Sequence, residues 1–437
     1  MISSPDPMAS PAMTTPGPII ARIGLLRSGS SACFSGSILT SILVSPVVRH
    51  TPKAAGVTSA ADGPVTRGDY SASGLDTTQP EVAGLRALAR KGSAMAEPRA
   101  ATIIGDGVAG ACADGQFGAG ARIAEPFGVA VGPDGWLYFC DLGNHRIRRV
   151  HPEGRTVETV VGSGRKGNTG DGGPATEADI EQPYELRFDA AGNLVFVDMT
   201  AHVVRLLHAA SGRIETMAGT GEAGFSGDGG PATDAMLRQP HSIEIAEDGA
   251  ILVCDIGNHR IRRIDPETGI IDTFAGTGEQ APTPPGGSIA DAPLNGPRSL
   301  AFDDAGDRRE LFLTLREGNA VLSIDMRSGR IEHVAGSGQF GYAGDGGDAR
   351  SASLAGPKGI AVSGDDIYIA DTESHTVRRI DRATGRIETV LGDGENHDGP
   401  DGDPLHCGLA RPHGVYATPD GRIFVGDTDN HRVRVLR

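Results

Sequence analysis

Two histidines in this chain, His241 and His413, each directly follow a proline. Phe127, Tyr184, Arg298 and Lys358 follow prolines that open similar stretches. An imidazole exchanges protons near neutral pH, so His241 or His413 suits a general base or acid. Alternatively, the pair would hold a divalent metal (Zn or Ca) together with waters. A guanidinium and an ammonium, here Arg298 and Lys358, suit a carboxylate or another small anion. Tyr184 and Glu244 would assist proton transfer, and Arg187 and Glu185 would complete the substrate contacts. The residue types thus give a catalytic set of His241, His413, Tyr184 and Glu244. The substrate-binding set is Arg298, Lys358, Arg187 and Glu185. A hydrolase or lyase follows as the reaction class, because no motif implies a redox cofactor.

The elements that carry these residues form a repeat. The opening prolines are Pro126, Pro183, Pro240, Pro297, Pro357 and Pro412, spaced by 57, 57, 57, 60 and 55 residues. Such a period marks a repeat architecture. Within each copy, apolar residues alternate and Asp-Gly or Gly-Asn pairs punctuate them, which predicts four short strands. In the first copy these are Phe127–Val131, Leu137–Cys140, Arg146–Val150 and Val157–Val161. The sixth copy stops at Arg437, after its third strand, while residues 101–107 (ATIIGDG) match the fourth-strand pattern TVVGSG of 159–164. The prediction is an all-β, six-bladed β-propeller of four-stranded blades over residues 99–437, its last blade completed by the N-terminal strand near 101–104. Closure of this kind removes exposed sheet edges.

Positions shared by the copies read as scaffold. Asp141, Asp198, Asp255, Asp371 and Asp427 end the second strand, and His145, His202, His259, His375 and His431 lie four residues on. The carboxylates would accept N–H groups and fix the corner between strands two and three. Copy four is expected to depart here, with Arg316 for the Asp and Ala320 for the His. The GDGG connectors, with Asp171, Asp228 and Asp345, could cradle an anion or Ca²⁺ but are sparser in acid than a dedicated calcium loop, and read as structural turns. Where three copies carry Ala130, Ala301 and Ala361, two neighbours carry Arg187 and Glu244, so a buried pair is expected.

The chain has 437 residues, 64 of them Gly, and a formal net charge of −16. That sign repels phosphate backbones, so nucleic acid is not an expected partner. The five cysteines show no pairing pattern; Cys140 and Cys254 occupy equivalent places two copies apart and read as buried, reduced thiols. Residues 1–98 are rich in Ser, Ala, Thr and Pro and are expected to be disordered, cleaved, or an over-extended reading frame with translation starting at Met95. Their most apolar run, 37–48, is too short for a membrane span. A cytoplasmic location is expected, or a secreted one if residues 1–50 act as a signal.

The recurring pattern GTGxxGxSGDGGPAT, then Pro, then DGxLY and DxxNHRIRRI, resembles the NHL repeat over about residues 100–437. The resemblance implies a propeller whose innermost strand lines a central channel, with the six residues after the prolines at its mouth. It is also distantly similar to peptidyl-hydroxyglycine amidating lyase and gluconolactonase-like propellers. In the lyase, zinc-binding histidines follow prolines on alternate blades; here His241 and His413 lie on opposite blades with no third histidine at such a place. Two readings follow. One is an enzyme acting on a small anionic substrate at the channel mouth; the other is a noncatalytic NHL scaffold binding a protein or ligand on the same face.

Overall fold

The computed structural model describes residues 97–151, 156–303 and 309–437. The expectation for residues 1–98 falls, but for 97 and 98, outside them. Alternating apolar residues build six antiparallel sheets in sequence order. Blade 1 comprises Pro126–Val131, Leu137–Asp141, Arg146–Val150 and Val157–Val161. Blades 2 to 5 repeat this order, their inner strands being Pro183–Phe188, Pro240–Ile245, Pro297–Asp303 and Pro357–Ser363. Blade 3 adds a two-residue strand, Gly230–Pro231, at its outer edge. Blade 6 consists of Val415–Ala417, Ile423–Asp427, Arg432–Leu436 and, outermost, Ala100–Ile104. Its last pair aligns Ala101 with Val435 and Thr102 with Arg434, so the N-terminal strand completes the ring as expected.

Inner strands of successive blades touch one another all the way round, the first against the sixth included. The core lies between blades. Cys140 and Ile147 of blade 1 pack with Leu186 and Phe196 of blade 2, and Ile103, Ile104 and Val433 of blade 6 pack with Val129 and Phe139 of blade 1. Close approach is local. A Cβ at Gly414 would meet the Phe127 carbonyl oxygen at 2.2 Å, and one at Gly359 the His413 carbonyl oxygen at 2.2 Å. Cys140, Cys254 and Cys407 are buried free thiols. No helix among the described residues is long and apolar enough to cross a membrane.

The shared residues form a network that the sequence shows only in outline. Asp255 accepts the Arg238 N–H at 2.7 Å and the Asn258 amide at 2.7 Å; Asp141 does the same with Ala124 and Asn144. The carboxylate therefore ties the incoming connector to the turn, rather than capping the turn alone. Each histidine sits in the left-handed region, φ 52 to 59°. His202, His375 and His431 accept, at Nδ1, the N–H of the residue before the next blade's proline (Gln239, Arg411 and Glu125, 3.0–3.2 Å). They are inter-blade clasps.

Blade 4 corrects the expected register. Pro297 pairs with Leu315, as Pro240 pairs with Asp255, and Asn319 takes the left-handed place (φ 45°), its Oδ1 accepting the Gly356 N–H. The residues replacing Asp and His are thus Leu315 and Asn319, not Arg316 and Ala320. Asn tolerates this conformation and keeps an acceptor, which explains the exchange.

The GDGG aspartates have partners too. Fully buried arginines on the third strands reach them, Arg262 to Asp228 (2.6 Å), Arg378 to Asp345 (2.5 Å) and Arg205 to Asp171, and in blades 1 and 6 Arg148 and Arg434 reach the equivalent Asp114 (2.8 Å) and Asp401 (3.0 Å). Blade 4 carries Leu322 in place of the arginine and Pro285 in place of the aspartate, so both partners leave together.

Candidate functional site

The inner strands of blades 2 to 5 slip register just after their prolines: pairing jumps from Pro183 to Glu185, Pro240 to Ser242, Pro297 to Ser299 and Pro357 to Gly359. A bulge turns the skipped residue away from the sheet's faces. The skipped residues are Tyr184, His241, Arg298 and Lys358. With Phe127 and His413 they line one cavity of ≈ 580 Å³, within the range of about 300–1,000 Å³ usual for ligand pockets. All six residues picked out from the sequence pattern therefore converge.

Their contacts are close. His413 lies on Phe127 (ring centroids 4.1 Å), and Tyr184 meets Phe127 and His241 edge-on (4.5 Å each). The preceding residues Gln239 and Arg411 adopt φ 52° and 48°, a costly choice for a non-glycine before proline, as does Glu125. This turn brings the carbonyl oxygens of Gln239 and Arg411 to Nδ1 of His241 (2.6 Å) and His413 (2.8 Å). A carbonyl only accepts, so both histidines carry their proton on Nδ1 and leave Nε2 a lone pair. The His413 Nε2 accepts from Lys358 Nζ at 3.0 Å. Burial pushes His241 down to about 4 and, with the Lys358 and Arg298 charges, His413 well below the imidazole range.

The charges are unevenly matched. Lys358 reaches Glu373 at 3.1 Å, and Arg411 grips the same carboxylate at 2.9 and 3.0 Å. Although burial opposes them, these bonds hold Glu373 at about 2. Arg316 pairs with Glu317 at 2.5 Å. Arg298 has no carboxylate partner among the described residues. It is 7% exposed, its guanidinium lies 4.8 Å from the Tyr184 ring and bonds the Tyr184 hydroxyl, and its buried Nε has no partner. Burial, then the Arg316 charge, presses it down to about 9, still protonated at neutral pH. Burial, then the Arg298 charge, lowers Lys358 to about 7.

Arg187, Glu185 and Glu244 lie farther along the inner strands, outside the cavity's lining. Arg187 meets Glu185 at 2.6 Å and Glu244 at 3.1 Å, the expected pair enlarged to a triad of largely buried groups. Glu185 instead borders a small second pocket with Lys358 and His413. No group of three or more His, Cys, Asp or Glu able to hold a metal occurs among the described residues. The two histidines offer a metal little: three of their four ring nitrogens already have partners.

Glu373, Glu317 and Arg411 were missed by the sequence reading, yet their signal was present. The second residue after the strand-ending position reads Gly143, Thr200 and Gly257 on blades 1 to 3, but Glu317, Glu373 and Asp429 on blades 4 to 6. Only the structure turns this asymmetry into contacts.

Comparison with known proteins agrees with the architecture. The family described as "NHL repeat" matches residues 354–380 and 409–436. Protein SUPPRESSOR OF QUENCHING 1, chloroplastic, of Arabidopsis thaliana is 26% identical over 292 residues, covering 63% of this chain and 27% of the relative. NHL repeat-containing protein 2 of Bos taurus is 23% identical over 330 residues, covering 69% and 44%. The chain thus spans less than half the length of these relatives. Among solved structures, an auxiliary nutrient binding protein from Bacteroides ovatus superposes with a TM-score of 0.57 at 19% identity, covering 78% of this chain and 76% of that one. At that identity the likeness concerns the fold alone.

Proposed function

Starting from a chain of NHL repeats closed into a six-bladed β-propeller, we propose that the cavity at its mouth takes a small anionic molecule and acts on it as a hydrolase or lyase. One observation carries the reading: Arg298 is a buried guanidinium at the cavity wall with no carboxylate partner among the described residues. An unpaired buried charge is costly, and a ligand carboxylate would remove that cost. Arg298 and the Tyr184 hydroxyl are then the anchor. The proton-transfer role moves from the histidines to Lys358, because an amine near 7 exchanges protons at neutral pH, whereas His241 near 4 and His413, pushed well below the imidazole range, do so poorly. His413 would receive or return the proton through its Nε2, 3.0 Å away. Arg187, Glu185 and Glu244 satisfy one another and take no part.

The test combines calorimetry with a turnover screen. Small carboxylates are titrated into the protein, and carboxylate-bearing esters, lactones and β-substituted acids are screened for turnover. Arg298→Met is expected to weaken carboxylate binding about tenfold or more. Lys358→Gln is expected to retain binding and lose turnover. If Lys358 acts as the base, the rate of the unaltered protein rises with pH through about 7 and then levels, since only the neutral amine accepts a proton. Carboxylate binding that is indifferent to Arg298→Met would sink the proposal. Binding without turnover would favour the noncatalytic reading, which the fully engaged nitrogens of His413 also suit.

A further inference from the structure

Two positions of the repeat divide the cavity in the same way. After the opening proline, blades 1 to 3 present Phe127, Tyr184 and His241, whereas blades 4 to 6 present Arg298, Lys358 and His413. After the second strand, blades 1 to 3 present Leu142, Met199 and Ile256 to the cavity, whereas blades 4 and 6 present Arg316 and Thr428. These positions are about fifteen residues apart, one at the start of the inner strand and the other just past the second strand, so neither split dictates the other. At these two positions the cavity is mainly apolar and aromatic on blades 1 to 3 and carries Arg298, Arg316 and Lys358 on blades 4 and 5.

Much of the lining is buried on both sides: Tyr184, His241, Leu142 and Ile256 are 5 to 8% exposed. On the cationic side Arg298, Lys358 and His413 are buried, 5 to 7% exposed. On the apolar side Phe127 and Met199 keep part of their surface open to the cavity. An aromatic and a thioether left uncovered inside a pocket are surfaces on which another ring can stack. Tyr184 joins the two walls, with Phe127 on one side at 4.5 Å and the Arg298 guanidinium on the other at 4.8 Å.

We infer that the ligand is amphipathic: a flat, apolar or aromatic body seated against Phe127, Leu142 and Met199, with a carboxylate a few bonds away held by Arg298 and the Tyr184 hydroxyl. This rests on the anion-binding reading above and adds the body to the head. A carboxylate alone would leave the apolar wall wet, and an uncharged ring would leave Arg298 unpaired. The short span across Tyr184 favours a short linker between ring and carboxylate.

Three probes separate the parts: 3-phenylpropionate, propionate and 3-phenylpropanol, titrated calorimetrically into the full chain at low salt. The expectation is that 3-phenylpropionate binds at least tenfold more tightly than either of the others. Met199→Ser, at a half-buried position of the apolar wall, is expected to narrow its advantage over propionate while leaving propionate binding unchanged. Arg298→Met is expected to weaken both acids, with the circular dichroism spectrum confirming that each variant is folded. Equal affinities for propionate and 3-phenylpropionate, both lost in Arg298→Met, would overturn the amphipathic ligand and leave the anion site standing. If neither acid binds the unaltered protein, both readings fall.

Discussion

His375 shows what a single residue does in blades 2, 5 and 6. Its Nδ1 accepts the Arg411 N–H at 3.1 Å and so clasps blade 5 to blade 6. Burial, then the Arg411 charge, lowers its pKa from 6.5, as burial does for His202. The folded state therefore resists a proton that the unfolded chain accepts near 6.5. Stability from these groups is complete above that pH and is lost as pH falls below it. His375→Ala is expected to cost about 1–2 kcal/mol at pH 7, through the lost hydrogen bond and the left-handed backbone. His375→Asn, the solution blade 4 already uses at Asn319, is expected to retain most of the stability and to lessen the loss between pH 6.5 and 5. Urea midpoints over that range measure both effects. Equal acid sensitivity in the Asn variant would mean that the clasp is not what titrates.

At the scale of elements, the third strand and the GDGG connector act as one unit. Arg378 is fully buried and bonds Asp345, the Ser353 carbonyl (2.9 Å) and the Ala343 carbonyl (3.2 Å), while Asp345 also accepts the Thr389 N–H at 3.1 Å. Asp345→Ala strands a guanidinium beside two carbonyls and is expected to destabilise by about 1–3 kcal/mol. Arg378→Leu with Asp345→Ala imitates the Leu322 and Pro285 of blade 4. The double variant is expected to be more stable than the sum of the single losses predicts, a coupling that a double-mutant cycle in urea measures. Strict additivity would show that the two residues share no interaction. A connector whose carboxylates are already committed in this way is a brace, not an ion cradle.

For the whole molecule, the decisive contact joins its two ends. Ala100–Ile104 pairs with Arg432–Leu436, and Ile103 and Ile104 fill the core between blades 6 and 1. A chain begun at Met95 keeps this strand. A chain begun at Asp106 loses two buried isoleucines, worth about 3–6 kcal/mol, and bares the edge of Arg432–Leu436. It is expected to melt at lower temperature and to aggregate, as read by calorimetry and light scattering; unchanged melting and monodispersity would contradict the closure argument. The ring also explains the electrostatics of the mouth. A chain of net charge −16 gathers Arg298, Arg316, Lys358 and Arg411 around one cavity, which concentrates anions where the rest of the surface repels them.

The sequence by itself determined the blade count, the four-strand unit, the closing strand and the six residues of the mouth. Each of these is written in periodicity, and a period survives without knowledge of distant contacts. It also showed where copies differ, and so pointed to His241, Arg298 and Lys358. It could not fix the register of blade 4, whose longer hairpin hides the equivalence of Leu315 and Asn319. Nor could it say that Arg187 is neutralised by Glu185 and Glu244 while Arg298 has no such partner among the described residues. Those outcomes depend on which side chains from different blades meet at the bulges. Burial there lowers Lys358 to about 7 and pushes His241 and His413 below the imidazole range, because desolvation is a property of the assembled ring and of no single copy.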